Sequence, residues 1–149
     1  MAVKPIPEGY HTLTPYMIVN DVGGLIDFLK KAFMAEEIYS MPGPEDNIMH
    51  AEVKIGDSKV MIGSSSPEFK AMPGMLYFYV RDTDAVYKQA IQAGAVSLME
   101  PADQFYGDRN AGVKDPQGNL WWIATHVEDV PQDEMQKRAE KWAAEKSKG

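Results

Sequence analysis

Residues 16–21, YMIVND, and residues 77–82, YFYVRD, share the pattern Tyr-x-x-Val-x-Asp at a separation of 61 positions. Each is an apolar run ending in an aspartate, and in the first Asn20 or Asp21 is suited to cap the helix that follows. Each is followed by a helical pattern. In VGGLIDFLKKAF (22–33), Leu25, Phe28, Leu29, Ala32 and Phe33 fall on one stripe. TDAVYKQAIQAG (83–94) ends on Gly94, a helix stop. The same offset places Ala32 on Ala93 and Met61 on Trp122. Order and spacing agree, so the chain reads as a tandem unit of strand, helix and three strands. The weak point is Gly23-Gly24 in the first helical turn, where glycine lowers helix propensity.

Working outward, AEEIYSM (35–41) is the next strand of the first unit, broken by PGPEDN. IMHAEVKI (48–55), a short turn and KVMIGS (59–64) form a hairpin. SSPEFKAMPG (65–74) is a linker. In the second unit AVSLMEPADQ (95–104) is strand and loop, and NAGVKDPQGNLWWIAT (110–125) closes as a hairpin. After residue 126, Pro131, Met135, Ala139 and Trp142 are placed as in a helix. The expected class is α+β, with repeats at about 12–63 and 74–126 in a domain spanning 1–130, and a helical extension over 131–149.

The bulk properties narrow the function classes. A formal net charge of −7 without a basic patch argues against nucleic-acid binding. No apolar run reaches the roughly 18 residues of a membrane span. MAVKPIPEGYHT lacks a hydrophobic signal core, so a cytoplasmic location is expected. Cysteine is absent, which excludes disulfides and thiolate metal sites.

Strand alternation sorts side chains by face. Ala51, Val53 and Ile55 form one apolar row, expected to face the helix. A turn at Asp57-Ser58 would set Ile55 opposite Val60 and Val53 opposite Ile62. His50, Glu52, Lys54, Lys59 and Met61 then share the other face. By the same rule Tyr77 and Tyr79 share a face with Met75, whereas Leu76, Phe78 and Val80 pack against helices. Trp121 and Trp122 must point to opposite sides of their sheet.

The repeated βαβββ unit, the Val-x-Asp before each helix and DPQGN (115–119) before the last strand resemble the vicinal oxygen chelate superfamily. That group includes glyoxalase I, extradiol dioxygenases and bleomycin-resistance proteins. KPIPEGYHTLTPY (4–16), HAEVKIGDSKVMIG (50–63) and YGDRNAGVKDPQGNLWWIATHVEDV (106–130) look like its PhnB-like branch. The resemblance implies an eight-stranded, incompletely closed mixed sheet around a ligand cup, with helices outside, and a homodimer. It leaves open whether cups form within a chain or between exchanged halves. In catalytic members four side chains at equivalent places in the repeats hold a divalent metal, which polarises substrate oxygens. The matching positions here are Thr14, Met61, Met75 and Trp122. A neutral hydroxyl, two thioethers and an indole that only donates make a poor set for a hard cation. Trp122 takes the place of a carboxylate, and no cofactor is expected.

The cup lining is therefore Tyr16, Met61, Met75, Tyr77, Tyr79 and Trp122, with His50 and Glu52 as polar intruders. Such an inventory suits a ligand pocket, although small barrels also pack shut. His50 and Glu52 are candidate acid–base groups, ligand anchors or ligands of a relocated metal, or else a hydrogen-bonded pair at the rim. Arg109, in YGDRN, is expected to reach over the mouth and bind an anion, or to fix its loop by pairing with Asp108. His11 and His126 are read as structural or surface residues. Three functions stay open: metal-free binding of a small apolar or aromatic molecule; a lyase, isomerase or dioxygenase using His50 and Glu52 or a relocated metal; and an interaction module with a filled cup.

Overall fold

In the computed structural model, which describes residues 2–148, each Val-x-Asp strand leads directly into its helix. The first unit runs β1 (Tyr16–Val19), α1 (Val22–Phe33), β2 (Glu36–Pro42), β3 (Ile48–Ile55) and β4 (Ser58–Ser64). The second runs β5 (Met75–Tyr79), α2 (Thr83–Gln92), β6 (Val96–Asp103), β7 (Asp108–Lys114) and β8 (Leu120–His126). α3 (Gln132–Ser147) follows. The sheets have matching orders, β1-β4-β3-β2 and β5-β8-β7-β6, with only the first pair of each parallel. The eight expected strands are thus two four-stranded sheets, not closed into a barrel.

Both helices are capped by an aspartate, α1 by Asp21 rather than Asn20 and α2 by Asp82. Asp21 accepts a hydrogen bond from Gly24 N at 2.9 Å, and Asp82 from Ala85 N at 3.1 Å. The first of these caps also accounts for a glycine that looked unfavourable. A Cβ on Gly24 would run into the Asp21 carboxylate, so the cap needs a residue without one.

The apolar rows pack as alternation predicts. Leu25, Phe28, Leu29, Ala32 and Phe33 are buried with Ala51, Val53, Val60 and Ile62 of the first sheet and Val113, Trp121 and Ile123 of the second. Phe33 joins the repeats, with its ring centroid 4.8 Å from that of Phe78 and 5.0 Å from that of Trp121. The linker is tied down as well. Met72 N donates to Ile18 O at 3.1 Å, and Gly74 N to Asn119 Oδ1 at 2.9 Å.

The first hairpin departs from expectation in register. Its turn lies at Gly56-Asp57, with Gly56 at φ +60°, so Ile55 pairs with Ser58, Val53 with Val60 and Ala51 with Ile62. The left-handed conformation that glycine tolerates draws the turn one residue earlier. Cross-strand partners change by two positions, which leaves every side chain on its expected face.

α3 packs on its own chain. Arg138 makes paired hydrogen bonds to Glu128 at 2.8 and 2.9 Å and reaches Phe105 O at 3.1 Å. The Trp142 ring lies 5.8 Å from that of Phe105 and stays half-exposed. No helix among the described residues is long and apolar enough to cross a membrane.

Candidate functional site

The face of each sheet turned away from the helices carries the candidate residues. In the first sheet Tyr16 pairs with Met61, Met61 with Glu52, and His50 with Gly63. The Tyr16 hydroxyl lies 3.2 Å from His50 Nδ1, and His50 Nε2 lies 3.6 Å from Glu52. The structure therefore brings His50 and Glu52 together on one face, as their spacing requires. The ring of Tyr16 lies against Gly63, where a Cβ would come within 2.7 Å of the phenol oxygen.

The second sheet begins with the DPQGN turn. Asp115, buried, accepts from Gln117 N (2.8 Å) and Asn119 N (3.0 Å) through one oxygen, and from Asn119 Nδ2 (3.0 Å) and Trp121 Nε1 (2.8 Å) through the other. This carboxylate fixes both the turn and Trp121, which points into the core. Alternation then forces Trp122 to the other face, where its indole lies over Gly112. A Cβ on Gly112 would meet the indole at 2.5–2.9 Å. Tyr77 is the register partner of Trp122, and Met75 and Tyr79 flank it along β5.

A polar cluster closes one end of this face. Asp108, only 4% exposed, accepts from Tyr77 Oη at 2.6 Å, Tyr79 Oη at 2.9 Å and His126 Nδ1 at 2.9 Å. Burial alone would push the Asp108 carboxyl up, but the donors Tyr77, His126 and Tyr79 outweigh it and hold the group below the usual carboxylate range. Burial, and next the bond to Asp108, push the Tyr77 phenol well above its ordinary value. The bond to Asp108 is the main cause of a rise at Tyr79. Both phenols therefore stay protonated as donors. His126 is raised by its bonds to Asp108 and, at 2.7 Å, to Asp129. Asn110 Nδ2 donates to Tyr106 Oη (2.7 Å) and Tyr77 Oη (3.2 Å), which leaves the buried Asn110 Oδ1 without a partner.

Arg109 does not reach over this face. Along β7 it alternates with Asp108 and Asn110, so it points to the helix side, where it pairs with Asp84 of α2 and Asp103 of β6. YGDRN was expected to be a loop, but β7 already starts at Asp108, and strand parity turns Arg109 away. Of the two expectations for Arg109, a structural ion pair is the one seen, with partners other than Asp108. The residues missed from the sequence are Asp108 and Asn110 as parts of the face and His126 as their neighbour. The signal was available, because counting by twos from Gly112 places both on the side of Trp122.

The four positions that the resemblance matched to the family's metal ligands divide between the sheets. Thr14 precedes β1 and Met61 lies on β4, whereas Met75 opens β5 and Trp122 lies on β8. Two thioethers, a hydroxyl and an indole N–H do not fit a hard divalent ion. Among the described residues no group of three or more His, Cys, Asp or Glu side chains is placed to hold one. On these faces no hydrogen bond or ring contact joins one sheet to the other among the described residues, and Tyr16, Met75, Tyr77 and Tyr79 are 43–64% exposed. Each chain thus presents two open half-cups. A cleft of about 890 Å³ runs between β5, whose Tyr77 and Tyr79 also line it, and the Gly56-Asp57 turn, walled by Phe33, Leu76, Phe78 and Trp121.

The sequence profile of the Glyoxalase/Bleomycin resistance protein/Dioxygenase superfamily matches residues 10–123. The chain belongs to this superfamily. It is also similar to an uncharacterised protein of Mycobacterium bovis, 35% identical over 135 residues that cover 83% of this chain and 89% of the relative. A Mycobacterium tuberculosis protein, also uncharacterised, matches at 35% identity over 83% of this chain and 79% of its own length. Among solved structures, TioX from Micromonospora sp. ML1 superposes with a TM-score of 0.69 at 21% identity, covering 78% of this chain and 99% of TioX. A glyoxalase/bleomycin resistance protein/dioxygenase family enzyme from Burkholderia phytofirmans gives a TM-score of 0.62 at 20% identity, covering 75% of this chain and 95% of that enzyme. At these identities the structural likenesses establish the shared fold.

Proposed function

We propose that this superfamily member binds a small, largely apolar or aromatic molecule in its cup without the divalent metal of catalytic relatives. The observation that carries the reading is Trp122. It stands where the resemblance would put a metal ligand, and it is oriented by the Asp115-anchored neighbour Trp121 and seated on Gly112. A half-buried indole seated on a glycine offers a surface for stacking. Met61, Met75, Tyr16, Tyr77 and Tyr79 surround the binding region with adaptable or amphipathic surface. His50 and Glu52 form a polar pair on the first half-cup. Arg109 has no part in binding, because its guanidinium is committed to Asp84 and Asp103.

The proposal includes a homodimer of the PhnB-like type. Each half-cup is open in a single chain, and a second copy lets the first-sheet face of one chain meet the second-sheet face of the other. This arrangement needs no exchange of covalent segments, only apposition of the open faces.

A thermal-shift screen with planar aromatic compounds tests binding, since a ligand at a hundred times its Kd stabilises by about 2.7 kcal/mol. The expected result is an upward shift that Trp122→Ala abolishes. No shift with any compound would favour a filled cup and an interaction role. Metal analysis of protein purified without chelator tests the other half of the reading, and one tightly held divalent ion per chain would overturn it.

A further inference from the structure

The second-sheet half-cup presents mainly acceptors and aromatic faces, laid over the buried carboxylate of Asp108. Tyr77 and Tyr79 spend their hydroxyl hydrogens on Asp108. Tyr77 Oη must then accept from Asn110, which fixes the amide with its nitrogen toward the phenols and its Oδ1 unpaired. What remains for a ligand is acceptor capacity on Tyr79 Oη, the O–H of Tyr106, whose oxygen already accepts from Asn110, and the π faces of Tyr77, Tyr79 and Trp122, whose quadrupoles attract cations. The unpaired Asn110 carbonyl oxygen adds negative partial charge beneath them. The cation expected near the mouth, Arg109, lies on the opposite face of the sheet. Lys114 shares the face but sits six residues from Asp108 along β7, about 20 Å away. His126 lies at the rim, bridging Asp108 and Asp129, so its charge is shared between two carboxylates.

We infer that the Asp108 end of this half-cup takes a protonated amine, carried by the aromatic or apolar body that the rest of the cup accepts. The inference rests on the binding reading above and adds the charge of the ligand to it. Tyr79 Oη accepts from the ammonium, the aromatic faces enclose it, and Asp108 supplies the underlying field.

The test is titration of the protein at about pH 7 with a naphthalene ring bearing an aminomethyl, a hydroxymethyl or a carboxylate group at the same carbon. Binding is read from the shift of the Trp122 indole resonance. The expected order is amine over alcohol by about tenfold, equivalent to about 1.4 kcal/mol, with the carboxylate weakest. In Asp108→Asn and in Tyr79→Phe the preference for the amine should fall to roughly threefold or less. The second variant keeps the buried carboxylate and so serves if the first fails to fold. Alcohol or carboxylate binding as tightly as the amine, or an amine preference unchanged in the folded variants, overturns the inference and leaves the cup reading standing. Binding of none of the three overturns both.

Discussion

Removing the Asp115 carboxylate, by Asp115→Ala, should cost more than any surface substitution. The carboxylate is 4% exposed and is the acceptor for Asn119 N, Asn119 Nδ2 and Trp121 Nε1, on residues 0% and 2% exposed. Alanine leaves those three donors buried and unpaired. A buried unpaired donor costs about 1–3 kcal/mol. Taking the low end for each, because water can enter the space vacated, gives about 3 kcal/mol. Domains of this kind have roughly 5–15 kcal/mol in all. With a urea m-value near 2 kcal/mol/M, the midpoint should fall by about 1.5 M. Trp121→Phe removes one donor and leaves the turn intact, so its hydrogen-bond loss should be a fraction of that. The assay is equilibrium urea unfolding followed by far-UV circular dichroism for both variants and the wild type. A loss below about 1 kcal/mol in Asp115→Ala, with the m-value unchanged, would refute the claim that this carboxylate organises the last hairpin.

Three further outcomes are expected. Gly112→Ala should displace the indole of Trp122, since the added Cβ would come within 2.5 Å of the ring. Near-UV circular dichroism should change, and stability should drop by about 1–3 kcal/mol. Gly24→Ala should gain nothing in the wild type, because the new methyl competes with the Asp21 cap. In an Asp21→Ala background it should stabilise by about 1 kcal/mol, and equal effects in both backgrounds would show that cap and glycine are independent. The third concerns pH. His126 is raised above 6.5 by Asp108 and Asp129, so its contribution is complete below that value and is lost as pH rises through the raised one. Asp108 is held below 3.8, so its contribution is present above that value and is lost as pH falls through the lowered one. The melting-temperature gap between wild type and His126→Gln should therefore shrink as pH rises above about 6.5; a constant gap would count against the pairing.

Alternation and repeat were enough to read which residues share a face, because parity survives errors of register. The hairpin turn moved from Asp57-Ser58 to Gly56-Asp57, yet Met61, Glu52 and His50 kept a common side. Arg109 shows where that reasoning stopped. Its segment carries Gly107, Asp108 and Asn110, all turn formers, and so looked like a loop, although Asp108 to Lys114 is strand. Once the strand is extended back to Asp108, parity alone sends Arg109 to the helices. The contact of Asp108 with His126 had no such signal, since it depends on which residues of β7 and β8 lie opposite each other. The split of the lining into two open half-cups was equally hidden. It follows from how Phe33 docks the first repeat onto Phe78 and Trp121, a tertiary packing choice that no strand pattern records.

The adjacent tryptophans couple that packing to the site. Asp115 holds Trp121 in the core beside Phe33, and the pleat then leaves Trp122 only one direction. Gly112 opposite is the complement, since any larger residue would occupy the space of the indole. The position is thus built around an aromatic ring, and one substitution would not make it a metal ligand. A glutamate at Trp122 would leave the space over Gly112 empty and would face Met75 on its own sheet, with Thr14 and Met61 on the other. A carboxylate there would have neither a second hard ligand beside it nor a neighbour to orient it. On the proposed reading, the same buried anchor that stabilises the last hairpin also commits this face to stacking and weak polar contacts.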